Sequence, residues 1–126
     1  MSTKMQDLAD QMLLGIGLPP QTITATVNGA GIDMISGDGL CSAIQQVGAV
    51  SGTSPTLAGK IQESADGSTN WTDVVNTLFA NVTASNNNQI ISFERTKRFL
   101  RYVGTIGGTS PSYAAAVIIA EQKKQL

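Results

Sequence analysis

Thr22-Ile23-Thr24-Ala25-Thr26-Val27 alternates polar and apolar residues with period two, the pattern of a strand with one buried face. Downstream, short apolar runs recur: Ile32 to Ile35, Leu40 to Val50, Leu57 to Ser64, Ile90 to Phe93, Phe99 to Ile106 and Tyr113 to Ala120. Turn signals separate them: Asn28-Gly29, Ser36-Gly37-Asp38-Gly39, Asp66-Gly67 and Asn86-Asn87-Asn88. Val74 to Val82 fits a strand or one helical turn, and Glu121 to Leu126 reads as a polar tail. Many short strands with turns between them predict an all-β fold, an antiparallel β-sandwich, jelly-roll-like in arrangement. An immunoglobulin domain proper needs paired cysteines around a core Trp, and Cys41 is alone.

The first residues have a different texture. Leu8, Met12, Leu13, Leu14 and Ile16 form a partial helical stripe, interrupted by Gly15 and Gly17 and closed by Pro19-Pro20. The expectation is a short N-terminal helix or arm over residues 1–20, with the β-sandwich domain at 21–126. Such an apolar arm has little of its own to bury against. Met5, Leu8, Met12, Leu13, Leu14 and Ile16 are therefore candidates for reaching across a neighbouring subunit or partner.

One segment occurs twice. Val47-Gly48-Ala49-Val50-Ser51-Gly52-Thr53-Ser54-Pro55-Thr56-Leu57-Ala58 returns as Val103-Gly104-Thr105-Ile106-Gly107-Gly108-Thr109-Ser110-Pro111-Ser112-Tyr113-Ala114. Each copy is an apolar run, a Gly-Thr-Ser-Pro corner and a second apolar run, which predicts strand–turn–strand.

The 126 residues make one domain, large enough to bury a core without staples. Only 13% of them are charged, against an ordinary ~25%, and the net charge is −1. Small polar residues fill the difference, which suits a protein packed against copies or partners. Such a balance gives no argument for nucleic-acid binding. No apolar run is long enough to cross a bilayer as a helix, and the N-terminal one is too short for a signal peptide. No membrane association and no export from the producing cell are expected.

Histidine is absent, which removes Ser-His-Asp and Cys-His sites and nearly all zinc sites. Cys41, in an apolar stretch, reads as a small buried hydrophobe. Glu63, Asp66 and Asp73 cluster around the Asp66-Gly67 turn; they read as turn chemistry or, with less in favour, as a calcium loop or acid/base pair. No catalytic residue, metal or cofactor is expected. Trp71 reads as a core or sheet-face aromatic, or as a platform for a sugar ring. Arg95, Lys97, Arg98 and Arg101 supply half of the eight basic residues. They form either a solvated corner or a patch facing an acidic protein surface or, with less in favour, a phosphate backbone. A strand there puts Arg98, Leu100 and Tyr102 on one face and Phe99, Arg101 and Val103 on the other.

Lys60-Ile61-Gln62-Glu63-Ser64-Ala65-Asp66-Gly67, then Trp71-Thr72-Asp73-Val74, then Arg98-Phe99-Leu100-Arg101-Tyr102-Val103 leading into Gly108-Thr109-Ser110-Pro111-Ser112, follow one another in a distinctive order. With Gly31-Ile32-Asp33-Met34 upstream, they resemble the small capsid decoration (cement) proteins of tailed bacteriophages, from Thr22 to Lys123. The resemblance implies a β-sandwich made in the host bacterial cytoplasm. It would bind the outer surface of an assembled capsid, with the major capsid protein and its own copies, as a homotrimer, for partners. It brings no catalytic residues. The competing expectation is a carbohydrate- or receptor-binding sandwich of a phage tail or fibre, built around Trp71.

Overall fold

The computed structural model describes residues 12–123, in which all regular structure is β. The strands are β1 (Met12–Ile23), β2 (Val27–Asn28), β3 (Ile32–Asp33), β4 (Gly37–Ser64), β5 (Thr72–Asp73), β6 (Asn87–Phe93) and β7 (Phe99–Lys123). Every pairing is antiparallel, as expected.

The architecture is dominated by β4 and β7, which pair along nearly their whole length, from Gly37↔Lys123 to Ser64↔Phe99. The two Gly-Thr-Ser-Pro segments lie in the middle of this ribbon and face each other, with Ser51↔Ser112, Thr53↔Thr109 and Thr56↔Gly107 paired. They do not reverse the chain, as strand–turn–strand had predicted. They bend both strands together. Gly52, Ser54, Gly108 and Ser110 all have positive φ, and the register slips on both sides of Thr53↔Thr109. Bulged residues of this kind sharpen twist and fold a ribbon back over itself.

The bend divides the ribbon into two layers. On one side, residues 37–50 and 113–123 are flanked by β6 and β1, in the order β1-β7-β4-β6. On the other, residues 56–64 and 99–107 are flanked by β5 and by β2 and β3. Alternation fills the space between them. Cys41, Ala43, Gln45 and Val47 of the first layer and Leu57, Ile61, Leu100 and Tyr102 of the second are all buried. Tyr102 Oη donates to Gln45 Oε1 across the interior (2.5 Å), and Phe79 meets the Tyr102 ring edge-on. Residues 74–86 form neither strand nor helical turn, apart from a bridge between Val82 and Leu57. Phe79 anchors this excursion in the core, and the Gln89 amide braces it like a strand, accepting from Ala80 N and donating to Ala80 O.

The expected helix is not there: residues 12–23 are an edge strand on β7, and the strand runs through Pro19-Pro20. Leu14 and Ile16 face out while Gly15 and Gly17 face in, so period two describes this stretch better than a helical stripe. A Cβ at Gly15 would lie 2.5 Å from Ile32. The prolines are tolerated because the edge strand is bulged there, with register shifts between Ile16 and Leu18 and between Leu18 and Gln21. Met5 and Leu8 lie outside the described residues. The polar tail needs correcting too. β7 continues to Lys123, and Glu121 is 2% exposed.

Candidate functional site

The basic cluster is largely consumed inside the fold. Arg95 Nε donates to both Glu121 oxygens (2.9 and 3.1 Å), Nη1 to Lys97 O (3.0 Å), and Nη2 to Met34 O (2.7 Å) and Gly37 O (3.0 Å). This ion pair is buried, with the Glu121 side chain 1% exposed. Cys41 lies beside it, and burial together with the neighbouring carboxylate pushes its thiol up to about 12. Glu63 holds the same loop from the other side, accepting from Thr96 N, Thr96 Oγ1 and Lys97 N. Arg95 thus fastens the 94–98 loop to the end of β7 and the 34–37 turn and is not a surface contact.

Arg98 does reach the surface, where its guanidinium grips Asp33 through two hydrogen bonds (2.8 and 2.7 Å) and lies over Phe99. Lys97 Nζ donates to Thr72 Oγ1. On the outer face of the second layer, Asp73, Gln62 and Arg101 are cross-strand neighbours. Gln62 Nε2 donates to Asp73 (2.9 Å), Arg101 donates twice to Gln62 Oε1, and Lys60 pairs with Asp73. Arg101 lies 4.5 Å over the Trp71 ring, and Trp71 is also packed near Gly31. One face of the ring is therefore already stacked. The three carboxylates near the turn have separate duties. Glu63 caps a loop, Asp73 closes the polar row, and Asp66 accepts from Ser68 N, Thr69 N and Thr69 Oγ1 within its own turn.

These hydrogen bonds make an acid limb predictable. Arg98 lowers Asp33 from 3.8 to about 2, Gln62 and Lys60 lower Asp73, and the Thr69 and Ser68 donors hold Asp66 well below the usual carboxylate range. A carboxylate depressed in the folded state stabilises it above its unfolded pKa and stops doing so as pH falls through the folded value. The melting temperature should be level above about pH 5. It should fall between pH 3.8 and about 2. Asp66→Asn should flatten that limb. A melting temperature unchanged down to pH 2 by differential scanning fluorimetry would contradict these assignments.

The outer face of the first layer is different in kind. Ile16 pairs with Ile118, Ile118 with Ile44, and Ile44 with Ile90, so four isoleucines line up across all four strands. Their neighbours along the chain are inward-facing core residues, so these side chains point outward. Ile16 is 61% exposed, Ile118 41% and Ile90 66%. Leu14, at 65%, heads the adjacent row, where it pairs with Ala120. On the other side the face continues into a shallow groove floored by Ala114, Ala116 and Gly48 and walled by Pro20 and Asn88. Scattered exposed aliphatics are normal, but a contiguous rank of them marks a surface that meets something apolar.

Of the sequence candidates, Leu14 and Ile16 belong to this face. Leu13 packs against the core, and Met12 is half-buried at the start of β1. Ile44, Ile90 and Ile118 were not singled out from the sequence. A signal exists for Ile118 alone, in Ala114 to Ala120, which is apolar on both faces, the mark of a strand covered on both sides.

No family model and no curated protein matches the chain. Among solved structures, a chain in the structure of infectious bursal disease virus, Gx strain, is similar over 87% of this chain and 31% of that one, at 14% identity and a TM-score of 0.46. This chain thus spans less than a third of that neighbour, and a likeness of that size decides neither fold nor function.

Proposed function

We propose that this chain is a structural protein of a virion, added to the outer surface of an assembled tailed-phage capsid, where it bridges capsid subunits. The observation that carries the reading is the isoleucine row Ile16–Ile118–Ile44–Ile90, an apolar face on a protein whose opposite face is an internally hydrogen-bonded polar row. A two-faced sandwich of this kind suits one-sided docking, with the polar layer left towards water. The segment order that resembles phage decoration proteins supports the same reading, and so does the scarcity of charge. Three copies around a local threefold axis would multiply a modest contact per copy into firm attachment. The carbohydrate-binding alternative loses support because Arg101 occupies one face of the lone Trp71 ring and no second exposed aromatic lies beside it among the described residues.

The test has two parts. Purified source particles should contain the chain in a ratio to the major capsid protein near one-to-one; a few copies per particle would move it to a vertex or tail. In the second part, Ile118→Lys should bind stripped particles at least ~30-fold more weakly, since it exchanges about 2 kcal/mol of apolar burial for a buried charge. Arg101→Ala, on the opposite face, should bind as the parent does. The reverse pattern would put the docking surface on the wrong layer.

A further inference from the structure

We propose that this chain is a two-fold dimer written as one polypeptide: residues 12–64 and 72–123 are equivalent halves that fold only on each other, and residues 65–71 are a tether.

The pairing register carries this. A local two-fold through Thr53↔Thr109 maps residues 41–47 of β4 onto 98–104 of β7, and residues 50–64 onto 106–120. Under it, Gln45↔Val117 becomes Tyr102↔Ile61, Ala43↔Ile119 becomes Leu100↔Glu63, Val47↔Ala115 becomes Gly104↔Gly59, and Ser51↔Ser112 becomes Gly107↔Thr56. Each image is itself an observed pair. The flanking strands obey the same operation. β6 sets Ile91 beside Ala43 as β3 sets Ile32 beside Leu100, and β1 sets Ile16 beside Ile118 as β5 sets Asp73 beside Gln62. Ile23 opposite Tyr113 is likewise matched by Val82 opposite Leu57.

Packing repeats the relation. A Cβ on Gly52 would strike Ser110 O and Pro111 Cα, and one on Gly108 would strike Ser54 O and Pro55 Cα. Gln45 and Tyr102, which are images of one another, hydrogen-bond to each other in the interior.

The halves are interlocked as well as equivalent. β1, β2 and β3 pair with β7; β5 and β6 pair with β4; β4 and β7 pair together. Every one of these pairings joins one half to the other. A half on its own has no sheet partner for any of its strands and would leave its ladder groups to water. The tether is a turn, in which Ala65, Asp66, Ser68, Thr69 and Asn70 are exposed and the Asp66 side chain organises the backbone locally; Trp71 at its end lies under Arg101. The isoleucine face is where the equivalence is broken. The images of Ile16, Ile118 and Ile44 are Asp73, Gln62 and Arg101, so a two-fold scaffold carries one apolar and one polar outer layer.

The experiment cuts the tether after folding. A protease recognition sequence is inserted between Thr69 and Asn70 of the full chain, and the folded protein is digested to completion. The two pieces should co-elute at the mass of the intact chain and keep its β circular dichroism. They should part only in denaturant, with a melting temperature that now rises with protein concentration. Mixing the denatured pieces and removing denaturant should restore the complex. Pieces that separate without denaturant, or one piece that stays folded alone, would overturn the proposal. Should the insertion itself prevent folding, the same sequence placed between Gly67 and Ser68 gives the same readout.

Discussion

Arg95→Ala should be strongly destabilising, costing about 3–5 kcal/mol and lowering the melting temperature by roughly 10–20 °C. The guanidinium is the only cation in contact with the buried Glu121 carboxylate among the described residues, and it also satisfies Met34 O, Gly37 O and Lys97 O. Removing it strands a buried charge and takes a donor from three carbonyls, of which Met34 O keeps the Gly37 N–H. Buried ion pairs are worth little net, but breaking one by taking away a single partner is expensive. Arg95→Met combined with Glu121→Leu should therefore recover part of the loss, since no charge is then left buried. Recovery should be incomplete, because the Arg95 hydrogen bonds to Gly37 O and Lys97 O are still missing. Denaturant titration of the two variants checks both statements. A loss below about 1 kcal/mol for Arg95→Ala would mean the side chain is effectively solvated and would restore it as a partner contact.

Gly52→Ala and Gly108→Ala should each cost at least about 2 kcal/mol, and their costs should agree within about 0.5 kcal/mol. Both residues have φ in the range that L side chains avoid, at 112° and 106°. In both, the new methyl group would meet a backbone carbonyl of the facing corner at 2.7 and 2.6 Å, an obstacle that no rotamer change removes. Equality is the sharper half of the prediction, since it follows from the two-fold through Thr53 and Thr109 and from nothing local to either glycine. A corner that tolerates one substitution and not the other, measured by chemical denaturation, would show that the two bends are held differently.

The strand content and the antiparallel sandwich were legible because alternation survives in every run that has one wet face. The bend was not. Gly-Thr-Ser-Pro carries the residues of a chain reversal, and only the facing copy decides that both strands pass through it and bend together. β1 is hidden for a related reason. Leu8, Met12 and Ile16 satisfy a helical spacing, while the constraint against a helix sits elsewhere, in Ile32 and Val117 pressed against Gly15 and Gly17. In the candidate site, Leu14 and Ile16 were visible as unburied aliphatics near an end of the chain. Ile44, Ile90 and Ile118 were hidden in runs that looked like core, because an outward position in a doubly apolar strand differs from an inward one only by register. Arg95 and Arg101 were conspicuous as charge, but Glu121, Gln62 and Trp71, which occupy them, are remote in sequence.

The ribbon also determines how the chain can find its structure. The tightest loop closed by β4 and β7 is the one from Ser64 to Phe99, and the outermost contact joins Gly37 to Lys123. Apart from the two-residue β4–β5 hairpin, no local pairing seeds this ladder, so most of the closure entropy is spent before cross-strand contacts return it. Folding on the order of milliseconds to seconds is the regime for such topologies. During that search the isoleucine strands are unpaired as well as apolar, and a cell making many copies at once holds a population open to mispairing with one another.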